Sequence, residues 1–314
     1  GAATGSRTLV ATVLSNSIHY NNLEVIETGY GISLRPLALF ANEVYRNCDC
    51  SCFEAKFAGD DANNYTEKDK ALAARMHKAI TIILFKLEGQ KIMRNPGFGM
   101  EDRLLLDKIN YEKQSVVVRG VEYALSDTDF PTVDRSDPYR LSAEEEEVIN
   151  QLTASFEHSE KLQKHIRFLY SKGGLYKVFN GNALFHGCIP MTEEGELMKF
   201  YLNGQELSGR TLMDYAEAVA RQGYYAKPGS PERTAGQDFL WFLWCGRNSP
   251  TFGRDRMTTF ERRLIKDEAS WAEPKNAYYT HYNDPAVCDM LLAEFGLVGS
   301  SCHIINGHVP VKSK

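Results

Sequence analysis

Long uninterrupted apolar runs are missing from this chain. The apolar stretch around Ile80 to Phe85 is too short to cross a bilayer and reads as one face of a helix, so no membrane partner is expected. An excess of positive charge is also lacking: 36 Lys and Arg stand against 41 Asp and Glu, a net charge of −5. That balance excludes a surface given over to nucleic acid and leaves local basic patches as the places to look. Regular cysteine spacing is absent too. The seven cysteines fit reduced thiols better than a disulfide framework. With no secretory-leader pattern, no repeat and no low-complexity linker, the expectation is a cytoplasmic globular protein.

What is present is a chain of 314 residues, 43% hydrophobic and 25% charged, long enough for one large or two ordinary cores. Residues 4–19 carry Leu9, Val10, Val13, Leu14 and Ile18 at helical spacing. A second helix is predicted from Arg35-Pro36, with Pro in its first turn, and a third from Thr66 to Glu88, stopped by Gly89. Ser115–Val118 and Val121–Leu125 flank Arg119-Gly120 as a hairpin. Asp127 to Tyr139 reads as an irregular surface connection. Ser142 should cap a long helix running to Gly173-Gly174, with Glu144 to Glu147 placed at its positive end.

Beyond Gly173 the pattern changes. Leu175–Phe179, Ala183–His186, Leu197–Leu202 and Cys302–Ile305 read as strands, with Asn203-Gly204 a hairpin turn. Thr211–Gln222 and Thr259–Ser270 read as helices, the second with a Thr258…Glu261 capping box. The division drawn is a mainly helical region, 1–173, with a hairpin near 115–125, followed by an α/β region, 174–314.

Chemistry is expected first at two histidines. His186 follows the apolar strand Ala183-Leu184-Phe185 and precedes Gly187; His308 follows Ile304-Ile305-Asn306-Gly307. A histidine at a strand end is commonly a hydrogen-bonded structural residue, but two such endings that meet in space would make a pair of metal ligands. We read His186 and His308 as half of a metal site. Six basic residues against two acidic ones lie between Arg247 and Lys266. Of these, Arg254 and Arg256, in the loop ahead of a helix, are the candidate phosphate contacts, and Arg262, Arg263 and Lys266 the solvated face of that helix. Lys275, beside Tyr278 and Tyr279, is a further candidate for a sugar phosphate. Cys48, Cys50 and Cys52 alternate too closely for a usual zinc site and have no second pair, so they are read as loop cysteines.

Tyr30-Gly31-Ile32-Ser33-Leu34-Arg35-Pro36, the segments 102–109 and 127–134, Phe185-His186-Gly187-Cys188-Ile189-Pro190, Phe242–Gly246, Met257–Arg262 and Ile305-Asn306-Gly307-His308-Val309-Pro310 resemble, in order, segments of the class III fructose-1,6-bisphosphatases. These are bacterial enzymes of the calcineurin-like metallophosphoesterase superfamily. The resemblance implies an α/β (α+β) fold containing part of a metallophosphatase β-sandwich core with a mainly helical accessory region. It also implies hydrolysis of fructose 1,6-bisphosphate to fructose 6-phosphate, at a two-metal centre holding manganese, in gluconeogenesis. The Asp-x-His, Gly-Asp-x-x-Asp and Gly-Asn-His-Asp segments that supply that family's other ligands do not occur here. A central fragment, inactive alone and associating with its missing N- and C-terminal segments or with itself, is therefore expected. A metallophosphatase for another phosphoester and a non-catalytic scaffold are the competing readings.

Overall fold

A computed structural model describes residues 1–57 and 64–309; Pro310 and the segment Lys312-Ser313-Lys314 lie outside the described residues. The chain forms two compact units. Unit 1 comprises Gly1–Pro96, Met100–Arg167 and Thr258–Ala272, and unit 2 comprises Gly97–Gly99, Phe168–Met257 and Glu273–Lys314. The boundary drawn at residue 173 thus compares with a change of unit after Arg167, and a later stretch, 258–272, returns to unit 1.

Unit 1 is built on helices α1 (Arg7–His19), α2 (Leu23–Tyr30), α3 (Arg35–Val44), α4 (Glu67–Arg94) and α5 (Ala143–His158). Their apolar stripes close a core of Leu14, Ile18, Leu37, Ile80, Ile83, Ile149 and Leu152. The sheet β1 (Ile109–Asn110), β2 (Ser115–Val118) and β3 (Val121–Ala124) is antiparallel throughout, with Val118↔Val121 closing the predicted hairpin. Thr66 and Ser142 each form a capping box, with Asp69 and Glu145, at the starts of α4 and α5.

Several expectations fail here for identifiable reasons. α4 does not stop at Gly89, because that glycine faces Tyr139: a Cβ would sit 2.1 Å from the Tyr139 ring. Close packing is what Gly89 serves, and the helix carries it at modest cost. The long helix from Ser142 breaks into α5 and α6 (Glu160–Lys172) at Ser159, whose hydroxyl donates to the Tyr30 carbonyl at 2.7 Å. The stretch 127–139 is irregular as expected but is pinned inward at three points, since Asp127, Phe130 and Tyr139 are buried. Lys78 pairs with Asp127 at 2.7 Å, and Lys86 pairs with Glu145 at 2.7 Å with both side chains 0% exposed. Glu145 also accepts from Thr132 Oγ1 at 2.6 Å and from the Ser142 backbone N–H at 2.8 Å. Its role is thus a fully bonded buried ion pair, and not only the helix-dipole placement expected for the acidic run.

Unit 2 contains β4 (Tyr176–Phe179), β5 (Asn182–Phe185), the hairpin β6 (Phe200–Leu202) and β7 (Gln205–Leu207), and helices α7 (Gly209–Tyr225) and α8 (Pro231–Cys245). The short helix α9 (Thr259–Leu264) belongs to unit 1; α10 (Tyr278–His281), α11 (Pro285–Glu294) and strand β8 (His303–Asn306) complete unit 2. The expected capping box of α9 is replaced by longer reaches: Thr258 Oγ1 donates to the Trp271 carbonyl at 3.2 Å, and Glu261 pairs with Arg119 at 2.9 Å. α7 and α8 cross closely through Gly223 and Gly236. Ala183, Phe185, Ile189, Met213, Tyr278 and Leu291 form the core under the sheet β4-β5-β8. The architecture is mixed α and β, as expected. Among the described residues the sheets have three, three and two strands. No helix among them is long and apolar enough to cross a membrane.

Candidate metal centre

The site begins with strand register. β5 pairs with β4 antiparallel and with β8 parallel, Asn182↔His303 through Phe185↔Asn306. Parallel strands in register end at the same rim, so whatever follows Phe185 and Asn306 emerges side by side. Those followers are His186 and Gly307-His308. His186 Nε2 lies 3.1 Å from His308 Nδ1, and the rings meet edge to face with centroids 5.0 Å apart. Backbone bonds fasten the two turns together: Gly307 N–H donates to the His186 carbonyl at 3.0 Å, and Asn306 Nδ2 donates to the Gly187 carbonyl at 3.0 Å.

His308 has φ +65°, a left-handed conformation that non-glycine residues seldom adopt, and Val309 N–H closes a tight turn around it onto the Gly307 carbonyl at 2.8 Å. Such a turn costs about 1–3 kcal/mol and persists only where neighbours enforce it. Here the enforcers are the Gly307 and Asn306 bonds, with an interaction between the imidazole and the Phe252 backbone. Behind His186 the backbone is pressed against the 250 loop: Cys188 N–H donates to the Pro250 carbonyl at 2.9 Å, and a Cβ on Gly187 would stand 2.3 Å from that oxygen. Only glycine fits there. Cys188 itself is buried, and burial pushes its thiol up to about 12, so it is packing and not a nucleophile.

Arg254 and Lys275 face each other across an antiparallel bridge, and Arg254 Nη1 donates to the Glu273 carbonyl at 3.0 Å. Burial, then the neighbouring His186, then the charge of Arg254 hold His308 below the ordinary histidine range, favouring the neutral ring that a metal needs. Lys275 is exposed, its Nζ 5.7 Å from the centre of the Tyr279 ring. Arg256 is placed differently: its guanidinium closes on Asp255, which also binds Arg247 at 2.7 Å, so its charge is matched internally.

Sequence reasoning missed three contributors. Asn276, buried, bonds Met191 N, Met191 O, Asn248 Oδ1 and Tyr278 N, and so fixes the 248, 276 and 191 segments as one piece. Tyr279 Oη is buried without a partner, close to where a Cβ on Gly253 would project. An open cleft of about 640 Å³ runs beside His186 and is lined by Lys172, Tyr176, Lys177, Glu217 and Asn306. Nothing in local spacing announces these; each depends on a tertiary neighbour. Cys48, Cys50 and Cys52 are half-buried with thiols pushed up chiefly by burial, in keeping with loop cysteines. Among the described residues no group of three or more His, Cys, Asp and Glu side chains converges as a metal cage.

Chemically, the pair offers two nitrogens within hydrogen-bond distance of each other, close enough to share one ion. Two imidazole nitrogens on a single ion, each about 2.1 Å from it at an angle of roughly 90–110°, stand about 3.0–3.4 Å apart. The observed 3.1 Å fits that requirement, and the Gly187 and Gly307 turns leave the rings exposed at the rim.

The sequence matches the family model described as Firmicute fructose-1,6-bisphosphatase over residues 1–314. A protein named fructose-1,6-bisphosphatase class 3 from Listeria innocua is 49% identical over 312 residues, covering 99% of this chain and 48% of the relative. One of the same name from Clostridium botulinum strain Alaska E43 is 50% identical over 314 residues, covering 100% of this chain and 47% of the relative. A third, from Clostridium novyi, is 48% identical over 314 residues, with 47% of its length covered. The chain thus spans about half the length of the curated relatives it matches. No solved structure matches it.

Proposed function

Because this chain belongs to the Firmicute fructose-1,6-bisphosphatase family, we propose that His186 and His308 are two ligands of the metal centre of an enzyme that hydrolyses fructose 1,6-bisphosphate to fructose 6-phosphate and phosphate. The observation that carries this reading is the 3.1 Å approach of the two imidazole nitrogens, from strands joined only by non-local pairing. Further ligands come from outside the described residues, which hold no third His, Cys, Asp or Glu at this point. A bound divalent cation, manganese in our reading, supplies charge to polarise a phosphoryl oxygen and to acidify water. The chain's own residues do the rest. The Gly187 and Gly307 turns present both rings at the rim, while Arg254 and Lys275, adjacent across their bridge, hold the phosphate that is not cleaved. Tyr279 Oη is placed to donate to the same group, which would give that phenol the partner it lacks. Arg256 shapes this region through Asp255.

Titration of the 314-residue chain with Co²⁺, followed by its visible absorption, tests the assignment. Weak binding of one ion is expected, abolished in H186Q and in H308Q; binding unchanged in both variants would overturn the ligand assignment. The same chain is expected to release no phosphate from fructose 1,6-bisphosphate with Mn²⁺. Release lost in H186Q would instead show that these residues suffice, and would overturn the need for ligands elsewhere.

A further inference from the structure

Several buried cations in unit 1 meet carboxylates, and one polar cluster among the described residues is an exception. Lys78 meets Asp127 at 2.7 Å, Lys86 meets Glu145 at 2.7 Å, and Arg103 meets Glu88 at 2.9 Å. The exception lies where α1 ends, α4 passes and α9 packs on the 3-10 turn Ser51–Phe53. There His77 is 0% exposed, its Nδ1 2.8 Å from the Phe53 carbonyl and its Nε2 without a partner. His19, the last residue of α1, has a buried Nδ1 that also lacks one, and the two rings are 5.6 Å apart. Arg263 of α9, read from sequence as solvated, is half-buried and near enough to oppose protonation of both imidazoles. Lys56 donates its backbone N–H to the His19 carbonyl at 2.7 Å, and its Nζ lies 5.5 Å from the centre of the Tyr20 ring. Among the described residues no Asp or Glu pairs with Arg263, Lys56, His19 or His77.

Leaving such a cluster uncompensated is costly, because a desolvated charge needs a counter-charge and a buried nitrogen needs a hydrogen bond. A water molecule would satisfy the two ring nitrogens but leave the guanidinium unmatched. A metal ion would be repelled by Arg263 and Lys56. We propose that His19, Lys56, His77 and Arg263 form a binding site for a tetrahedral oxyanion, the phosphate group of a small phosphorylated ligand. A guanidinium fork, an ammonium and two imidazoles outnumber the two oxygens of a carboxylate and suit a phosphate.

Proton traffic follows from the geometry. With Nδ1–H given to the Phe53 carbonyl, Nε2 of neutral His77 is an acceptor, so it bonds an oxyanion only if a proton sits between them. That proton comes either with the imidazolium or with monoprotonated phosphate, so one more proton is bound with the ligand than with free phosphate dianion. The groups facing the imidazoles are Arg263 and Lys56; those facing Arg263 besides the imidazoles are Tyr20 and Cys52. Arg263 and Lys56 favour the anion, and burial pushes the Cys52 thiol up, so affinity rises as pH falls.

Inorganic phosphate titrated into the 314-residue chain at constant ionic strength, with imidazole signals followed by NMR, tests this. The His19 and His77 signals, assigned through H19Q and H77Q, are expected to move saturably, with tighter binding at pH 6.5 than at pH 8. His186 serves as a reporter of any separate binding in unit 2. R263Q is expected to weaken the His77 response by about tenfold or more, the loss of one charge-assisted contact, and R263K less. Unmoved His19 and His77 signals, or equal saturation in wild type and R263Q, would overturn the site.

Discussion

Unit 1 and unit 2 solve opposite problems with polar groups. In unit 1, two lysines are buried deeply and answered: Lys86 is enclosed between Glu145 and the Thr132 carbonyl, and Lys78 between Asp127 and the Asp49 carbonyl. In unit 2, the polar groups of interest stand at a rim, held by hydrogen bonds and by a strained turn at His308, with two ring nitrogens facing each other. The ion-paired lysines are satisfied within the fold, whereas the two imidazoles at the rim are open to solvent. Buried ion pairs speak to stability, and the positive φ of His308 marks a turn that its neighbours must enforce.

The comparison breaks most visibly at the buried pair. Lys86→Met strands the Glu145 carboxylate and is expected to cost about 3–5 kcal/mol in urea unfolding, while K86M/E145L recovers most of it. A weak effect of K86M would place that network with the ordinary surface pairs. Next comes pH. Burial and then Arg263 hold His77 down to about 3 in the folded chain, against about 6.5 unfolded. The folded state therefore binds fewer protons between those values, so stability present above pH 6.5 is lost as pH falls toward 3. His77 alone accounts for about 2 kcal/mol between pH 7 and pH 5. His19, held down to about 4 by burial and by Arg263, adds in the same direction. H77Q should flatten the profile, and an equally steep one would assign the acid sensitivity elsewhere. Smallest is Asn306→Ala, which removes the bond to the Gly187 carbonyl: about 1 kcal/mol of stability, but a roughly tenfold weaker Co²⁺ affinity through lost orientation of His186. Equal affinity would show that the two turns hold the rings without it.

Elements with one buried stripe were legible from spacing alone, which is why α1, α3 and the β2–β3 hairpin appear where periodicity puts them. α8 was not: in its aromatic run Trp241-Phe242-Leu243-Trp244 three successive residues, Trp241, Phe242 and Leu243, are buried, which hides the single stripe that marks a helix. The break at Ser159 escaped notice because it has no Pro or Gly and depends on the distant Tyr30 carbonyl. At the candidate site, the two histidines were visible as strand endings, and the family resemblance gave them a partner. Their meeting was not visible, since parallel register is set by pairing across the whole of unit 2. Nor was the fate of Arg256, which a single intervening residue, Asp255, takes out of play.

The β5–β8 pairing also bears on how the molecule assembles. His186 and His308 are 122 residues apart in sequence, and closing so long a loop precedes any gain from the contact it makes. The helical pairs of unit 1 and the local β4–β5 and β6–β7 hairpins can form before it. The two rings therefore come together among the last events of folding, so a metal ion captured by them would act as a seal on a finished unit 2 and not as a nucleus for building it.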